Sequence, residues 1–182
     1  AFFSAIMMFL SSIAKAGQLQ TTIIWLMGNM NLPGEMGVLW AGGVIVLTGI
    51  IILLMLSNRL NMLSMGTADA RSMGLPVEQT CLFAFAAAAL ITSIAVSLSG
   101  LVGFVGLVVP HAVRLVGGPD HRQLIPLSAI IGAIFLVSAD TFARTIIAPE
   151  IIPVGVVTAM VGGPFFLILL IRYTKSVHWG HA

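Results

Sequence analysis

Long uncharged apolar runs alternate with short polar segments along the chain. A helix needs about 20 apolar residues to cross a ~30 Å hydrocarbon core. On this criterion the runs predict membrane helices over 1–14 (the remainder of one), 36–57, 124–143 and 152–171. The segment 17–35 is too polar for the membrane centre, and it predicts a short interfacial helix with Trp25 at headgroup depth.

The run from Thr80 to Val113 contains no acid, lysine or arginine. As one helix it would measure about 50 Å, which is too long for one span and short for two full spans. If it turns back, six of the eight basic residues lie on one side of the membrane: Arg59, Arg71, Arg114, Arg122, Arg172 and Lys175. This is the positive-inside pattern. It predicts a hairpin of a span over 80–98, a break near Ser99-Gly100 and a short arm over 100–113.

The short arm is rich in glycine. Gly100, Gly103 and Gly106 recur every three residues, so we expect them to lie along one helical face. Small residues let membrane helices approach closely, and Pro110 is expected to bend or end the arm. The arm is therefore predicted to be an interior packing element, with direct contact to a substrate as the alternative.

Composition gives the class of protein. The chain of 182 residues is 59% hydrophobic and 8% charged, whereas about a quarter of a soluble domain is charged. It therefore reads as a membrane protein, and its net charge of +2 is too small to indicate nucleic acid. The single cysteine, Cys81, rules out an internal disulfide framework. Because the chain begins at Ala1 inside an apolar run, we expect it to be part of a longer protein cut within a membrane helix.

The residues offer little chemistry. Neither Lys15 nor Lys175 follows a glycine, so the P-loop pattern for ATP binding is absent. His111, Asp120 and His121 match no recognised zinc spacing. No catalytic, cofactor-binding or metal-binding residue is therefore predicted.

Two polar features remain open to two interpretations each. Asp140 and Arg144 lie four apart near the end of a span, so they form either a local ion pair or a pair whose arginine meets an acidic partner outside. The segment 58–79 is the longest polar stretch, and its apolar side chains either dock a partner or fold back on the helices beneath. Both interpretations can hold for different members of that apolar set, which are Met62, Leu63, Met65, Met73 and Leu75.

Several motifs occur in an order that resembles one family. They are LNMLSMGTADARSMGLP, GFVGLVVPHAVRLVGGPDHRQLIPLSAIIGA, ADTFAR and PEIIPVGVVTAMVGGPFF. The chain resembles the permease subunits of ABC importers for iron-siderophores, haem and vitamin B12, the FecCD-type or type II importers. The resemblance implies an all-α polytopic membrane helix bundle in a single transmembrane permease domain over 1–182. About six of about ten family helices would be present, from the fifth onward.

The resemblance also implies partners and roles. An ATP-binding cassette subunit would contact the cytoplasmic segment 58–79 through Met65, Gly66, Ala70, Arg71 and Gly74. An extracytoplasmic substrate-binding protein would dock on Arg144, which matches an arginine that meets a glutamate of the binding protein in the vitamin B12 member. A second permease subunit, identical or different, would complete the path through the cytoplasmic (inner) membrane, and the arm over 100–109 would be the short eighth helix of the family.

The implied function is a permease that moves a metal chelate (ferric siderophore, haem or cobalamin) with ATP hydrolysed on a separate subunit. The alternative is a membrane scaffold or anchor subunit of a multi-protein complex. A scaffold, however, gives no reason for the GTADARSMG segment to face the cytoplasm. A secondary transporter is disfavoured because acids are scarce within the spans.

Overall fold

The computed structural model describes residues 2–13, 16–30, 36–146 and 152–178. These residues form helices joined by short segments, and no strand occurs among them. The helices are α1 (Phe2–Ile13), α2 (Ala16–Leu26), α3 (Met36–Ser64), α4 (Thr67–Ser72), α5 (Val77–Ser99), α6 (Val105–Gly117), α7 (His121–Thr145) and α8 (Val154–His178).

Four of these helices are long and apolar enough to cross a membrane: α3, α5, α7 and residues Val154–Ile171 of α8. The predicted ranges 36–57, 80–98 and 124–143 each lie inside one of them, whereas 152–171 begins two residues before α8. α3 continues past its predicted end to Ser64. The predictions for Ala1, Ala14 and Lys15 lie outside the described residues.

The spanning helices α3, α5, α7 and α8 run between two ends of the bundle. Arg59, Arg71, Arg114 and Arg122 belong to one end, which we call the basic end; there the Asn61 side chain donates to Asp120 at 2.6 Å. At the opposite end, the backbone N–H of Asn29 donates to the Ser99 carbonyl at 2.9 Å, and that of Ile152 to the Ala143 carbonyl at 3.4 Å. The side chains of Arg172 and Lys175 lie outside the described set.

α3 and α5 pack closely because two glycines of α3 face large apolar side chains of α5. A Cβ on Gly42 would lie 2.7 Å from Leu98 Cδ1, and one on Gly49 would lie 2.5 Å from Ile91 Cγ1. Lipid gives helices no hydrophobic reason to associate, so such close contact supplies the packing energy. We did not predict this contact from the sequence, although the spacing of seven residues between the two glycines was the available signal.

The prediction that Gly100, Gly103 and Gly106 share a helical face is wrong. Gly100 ends α5 with φ 70° and ψ −162°, Gly103 lies in the connection, and only Gly106 is in α6. The chain reverses here, and Gly100 supplies a backbone conformation that is essentially restricted to glycine. The arm does not end at Pro110 either, because α6 continues to Gly117.

Gly100 belongs to a contact of three backbone segments that we call the glycine junction (Gly28, Gly100 and Gly155). A Cβ on Gly100 would collide with the Trp25 carbonyl oxygen, and one on Gly28 would lie 2.8 Å from the Leu101 carbonyl oxygen. A Cβ on Gly155, in the first turn of α8, would collide with the Met27 carbonyl oxygen. The junction thus joins the end of α2, the α5–α6 connection and the start of α8 at the opposite end.

Replacing Gly100 tests this correction against a neighbour three residues away. Gly100→Ala combines a forbidden backbone conformation with a collision at Trp25, so we expect the full-length protein to lose at least about 1–3 kcal/mol of stability. Gly103→Ala is the control, because no atom lies within 4 Å of the added Cβ. Thermal unfolding in lipid nanodiscs measures both. Equal effects of the two substitutions would contradict the junction.

Candidate functional site

The short helix α4, at the basic end, begins and ends at glycines. Gly66, with φ 123°, precedes the helix, and Gly74, with φ 81°, follows it. The Gly74 N–H donates to the Arg71 carbonyl at 2.9 Å, and the Leu75 N–H donates to the Ala70 carbonyl at 3.0 Å. This pair of bonds is the Schellman arrangement, which uses a glycine at the first position past the helix end.

An apolar cluster anchors α4 to the spanning helices. Ala70 is fully buried and packs with Leu75 and Val77, while Met62 and Leu63 of α3 contact the cluster from below. Ala70 therefore cannot offer its side chain to a partner, and its predicted place in the contact surface is corrected to a packing role. Met62, Leu63 and Leu75 fold back, as one of the two sequence interpretations proposed.

Five exposed residues around α4 form a patch that we call the coupling surface, after the role that we propose for it (Met65, Gly66, Arg71, Met73 and Gly74). Met65 is 65% exposed and Met73 57% exposed. Arg71 makes one ion pair, from Nη2 to Glu78 Oε1 at 3.3 Å, with both side chains largely in solvent. An exposed ion pair of this kind contributes about 0–1 kcal/mol. The coupling surface thus combines flexible apolar side chains with an arginine that is free to exchange partners.

At the opposite end, Arg144 and Asp140 form an ion pair on the last turns of α7. Arg144 Nε donates to Asp140 Oδ2 at 2.7 Å, and the two side chains are 39% and 25% exposed. Beneath them, Ala139 and Ala143 pack against Val154 and Val157 of α8. We call Asp140 and Arg144 the docking pair, after the role that we propose for Arg144. The local ion pair predicted from the sequence is present, and it holds the guanidinium partly exposed at the surface.

An apolar cavity of about 560 Å³ opens beside the glycine junction. Met27 just past the end of α2, Leu101 and Phe104 of the α5–α6 connection, and Met160 of α8 line it together with small residues of α8. Phe104 has φ 66°, unusual for a residue with a Cβ, and packs directly on Gly162. The cavity therefore offers hydrophobic and small surfaces with no charged side chain among its lining residues.

A polar cluster at the basic end went unrecognised in the sequence. Asp120 caps α7, accepting from the Arg122 backbone N–H at 2.9 Å, and it also accepts from Asn61 of α3. These two hydrogen bonds, the backbone one foremost, lower the pKa of Asp120 below its usual value. The stabilisation that they give the carboxylate is fully present above the ordinary carboxyl pKa, and it is lost as the pH falls from there through the lowered pKa. The motif PDHR carried the signal for the cap of α7. The partners from α3 could not be predicted, because Asn61 lies 59 residues from Asp120 and Asn58 lies 64 residues from Arg122.

The residues weighed as metal ligands do not form a metal site. The ring of His111 stacks edge-on against Phe165, with centroids 6.5 Å apart, and His121 bonds to Asn61. Within the described ranges, no group of three histidine, cysteine or acidic residues could hold a metal ion.

Comparison of the sequence with known proteins identifies a family and several relatives. The profile of the FecCD transport family matches residues 1–172. The cobalamin import system permease protein BtuC of Halobacterium salinarum is 44% identical over 157 residues, which are 84% of this chain and 41% of that protein. The hemin transport system permease protein HmuU of Yersinia pestis is 40% identical over 167 residues, 92% of this chain and 50% of that protein.

The fold has a solved counterpart. A structure described as an inward-facing conformation of a metal-chelate type ABC transporter superposes with a TM-score of 0.81 at 31% identity. The match covers 94% of this chain and 55% of that one. The chain spans about half the length of the curated relatives that it matches.

The fold and the comparisons agree on one architecture. The chain has the all-helical membrane fold of an ABC transporter permease. It belongs to the FecCD transport family.

Proposed function

We propose that the chain is the permease part of an ATP-driven importer that moves a metal chelate across the cytoplasmic membrane. The observation that carries the proposal is the placement of two accessible sites at opposite ends of one bundle. The coupling surface lies at the basic end, which the positive-inside rule assigns to the cytoplasm, and the docking pair lies at the other end. Such an arrangement suits a protein that is driven from inside and loaded from outside.

On the cytoplasmic side, the proposed partner is a separate ATP-binding cassette subunit. The 182 residues contain no P-loop pattern, and we therefore assign ATP hydrolysis to this separate subunit. Met65 and Met73 flank α4 and expose flexible side chains of the kind that fill irregular partner surfaces. A scaffold subunit gives no reason for the GTADARSMG segment to face the cytoplasm.

On the outer side, the proposed partner is a substrate-binding protein with an acidic residue in its contact surface. Asp140 holds Arg144 in one orientation, which reduces the conformational entropy lost when a carboxylate binds the guanidinium. A guanidinium has five N–H donors and Asp140 accepts from Nε, so a second carboxylate can bind the Nη donors. The docking pair therefore suits recognition of an acidic partner.

The cargo is proposed as a class. The apolar cavity beside the glycine junction has no cage of charged ligands, which suits a bulky chelate passing without tight binding. A second permease subunit would enclose the path from the other side. Named relatives carry cobalamin or hemin at similar identities, 44% and 40%, so identity does not single out one chelate. Ferric siderophores, haem and cobalamin share the property of a metal wrapped in an organic ligand.

Introducing negative charge at the centre of the coupling surface tests whether the ATP-binding subunit binds there. Arg71→Glu with Met73→Glu places two carboxylates where we expect apolar and cationic contacts. Binding of the ATP-binding subunit should then weaken by about 2 kcal/mol, or about thirtyfold. Titration of the purified subunit against full-length protein in nanodiscs measures this affinity.

Glu78→Gln is the matched control, because it removes the ion pair of Arg71 but leaves the arginine in place. Its effect should stay within about 1 kcal/mol. If the double substitution bound the subunit as tightly as the wild type, the contact would have to lie elsewhere.

The docking pair is tested by reversing its exposed charge. Arg144→Glu should weaken binding of the substrate-binding protein by about tenfold, or about 1.4 kcal/mol, because a carboxylate then faces an acidic contact. Arg114→Glu is the control: it makes the same change in net charge at the basic end, a membrane thickness away and screened by salt. Surface plasmon resonance on nanodiscs measures both. Equal losses would indicate a nonspecific effect of net charge and contradict docking at Arg144.

A further inference from the structure

Five polar residues join the end of α3 to the start of α7, and together we call them the polar bridge (Asn58, Asn61, Asp120, His121 and Arg122). Asn58 and Asn61 lie one turn apart on α3, and their partners are three consecutive residues at the start of α7. Asn58 Oδ1 accepts from Arg122 Nε. Asn61 contacts both Asp120 and His121. Two helices that are nearly 60 residues apart in sequence are thus held together at the basic end.

The orientation of the Asn61 amide is determined by its partners. Its Nδ2 donates to Asp120 Oδ1 at 2.6 Å, and its Oδ1 accepts from the backbone N–H of His121 at 2.8 Å. A carboxylate only accepts and a backbone N–H only donates, so the amide cannot be turned over. The same Oδ1 lies 2.7 Å from His121 Nδ1, which must therefore carry the ring proton. No other side chain of this size both donates and accepts in this way.

The bridge lies directly beneath the coupling surface. Asn61 is followed by Met62 and Leu63, which pack on the Ala70 cluster of α4. α3 ends at Ser64, and Met65 and Gly66 then lead into α4. A force on α4 is therefore applied to the same turn of α3 that carries Asn61.

From the bridge, α7 leads to the docking pair. It has 25 residues, so it is about 37 Å long, with Asp120 capping one end and Arg144 in the last turn of the other. α7 also packs on α8 through Ala139 and Ala143 near the docking pair. One continuous helix thus connects the polar bridge with the site proposed to meet the binding protein.

We propose that the polar bridge is a positioning element that makes α4 and α7 move together. Docking of the binding protein at Arg144 then reaches the coupling surface through α7, Asn61 and the end of α3. The inference rests on the proposed function. It adds Asn58, Asn61 and Asp120 as positioning residues, which touch neither cargo nor nucleotide.

The test compares two substitutions of similar size at the basic end. Asn61→Leu keeps a side chain that branches at Cγ but removes both the donor and the acceptor of the bridge. Gln123→Leu, at an exposed position on the first turn of α7, is the matched control. Both are made in the full-length protein, assembled with its ATP-binding subunit in nanodiscs, and ATP hydrolysis is measured with and without the binding protein.

For Asn61→Leu we expect the ratio of stimulated to basal hydrolysis to fall about fivefold or more, the range of ordinary coupling between sites. The amount of assembled complex should be unchanged, and Gln123→Leu should keep the wild-type ratio. Asp120→Asn retains the acceptor oxygen and should keep most of the stimulation, whereas Asp120→Ala should lose it. A loss of folding alone would lower the yield of complex and leave the ratio per complex unaltered.

An unchanged ratio in assembled Asn61→Leu complexes would overturn the inference. If Asn61→Leu did not assemble, Asn58→Leu, which removes only the contact with Arg122, would decide in the same way: a reduced ratio supports the bridge and an unchanged ratio overturns it. The proposed function fails separately, when the wild-type complex itself shows no association with the ATP-binding subunit or no stimulation.

Discussion

A bilayer offers no hydrogen bonds to the backbone, and this constraint explains most of the structure. Every N–H and C=O group at membrane depth must be satisfied inside the protein, which forces the apolar runs into helices. Backbone groups are hardest to satisfy where the chain reverses, between α5 and α6. There Gly100 adopts a conformation restricted to glycine and is buried against the carbonyl of Trp25. The glycine junction thus allows the chain to reverse and to place a short helix, α6, among long ones.

The same constraint concentrates the polar chemistry at the two ends. Between them the spans are held by small residues and apolar contacts, such as Gly42 against Leu98. At the basic end, α4 is exposed but anchored by Ala70; at the other, Arg144 is exposed but oriented by Asp140. Each accessible side chain therefore belongs to a helix that packs on its neighbours, so a contact at either end can displace that helix.

The sequence predicted the helical class and the positions of the spans, because hydropathy is a local signal. It left open which apolar side chains of the 58–79 segment are exposed and which fold back, because that depends on how α4 packs on α3. It also identified Asp140 and Arg144 as neighbours, since a spacing of four residues is a helical contact. It failed where the contact depends on the reversal of the chain: Gly100 and Gly103 look equivalent in sequence, yet only Gly100 meets another backbone. The bonds of Asn61 to Asp120 and His121 likewise arise only from the docking of α3 on α7.

The most direct test of the proposed importer function is the rate of ATP hydrolysis by the full-length wild-type protein, assembled with its ATP-binding subunit in lipid nanodiscs. The rate is measured with and without the binding protein, which is left empty or loaded with a ferric siderophore, haem or cobalamin. We predict that the complex forms and that the binding protein raises the rate, with the response to each chelate identifying the cargo. A chain that forms no complex with an ATP-binding subunit, or a complex whose hydrolysis ignores the binding protein, would contradict it.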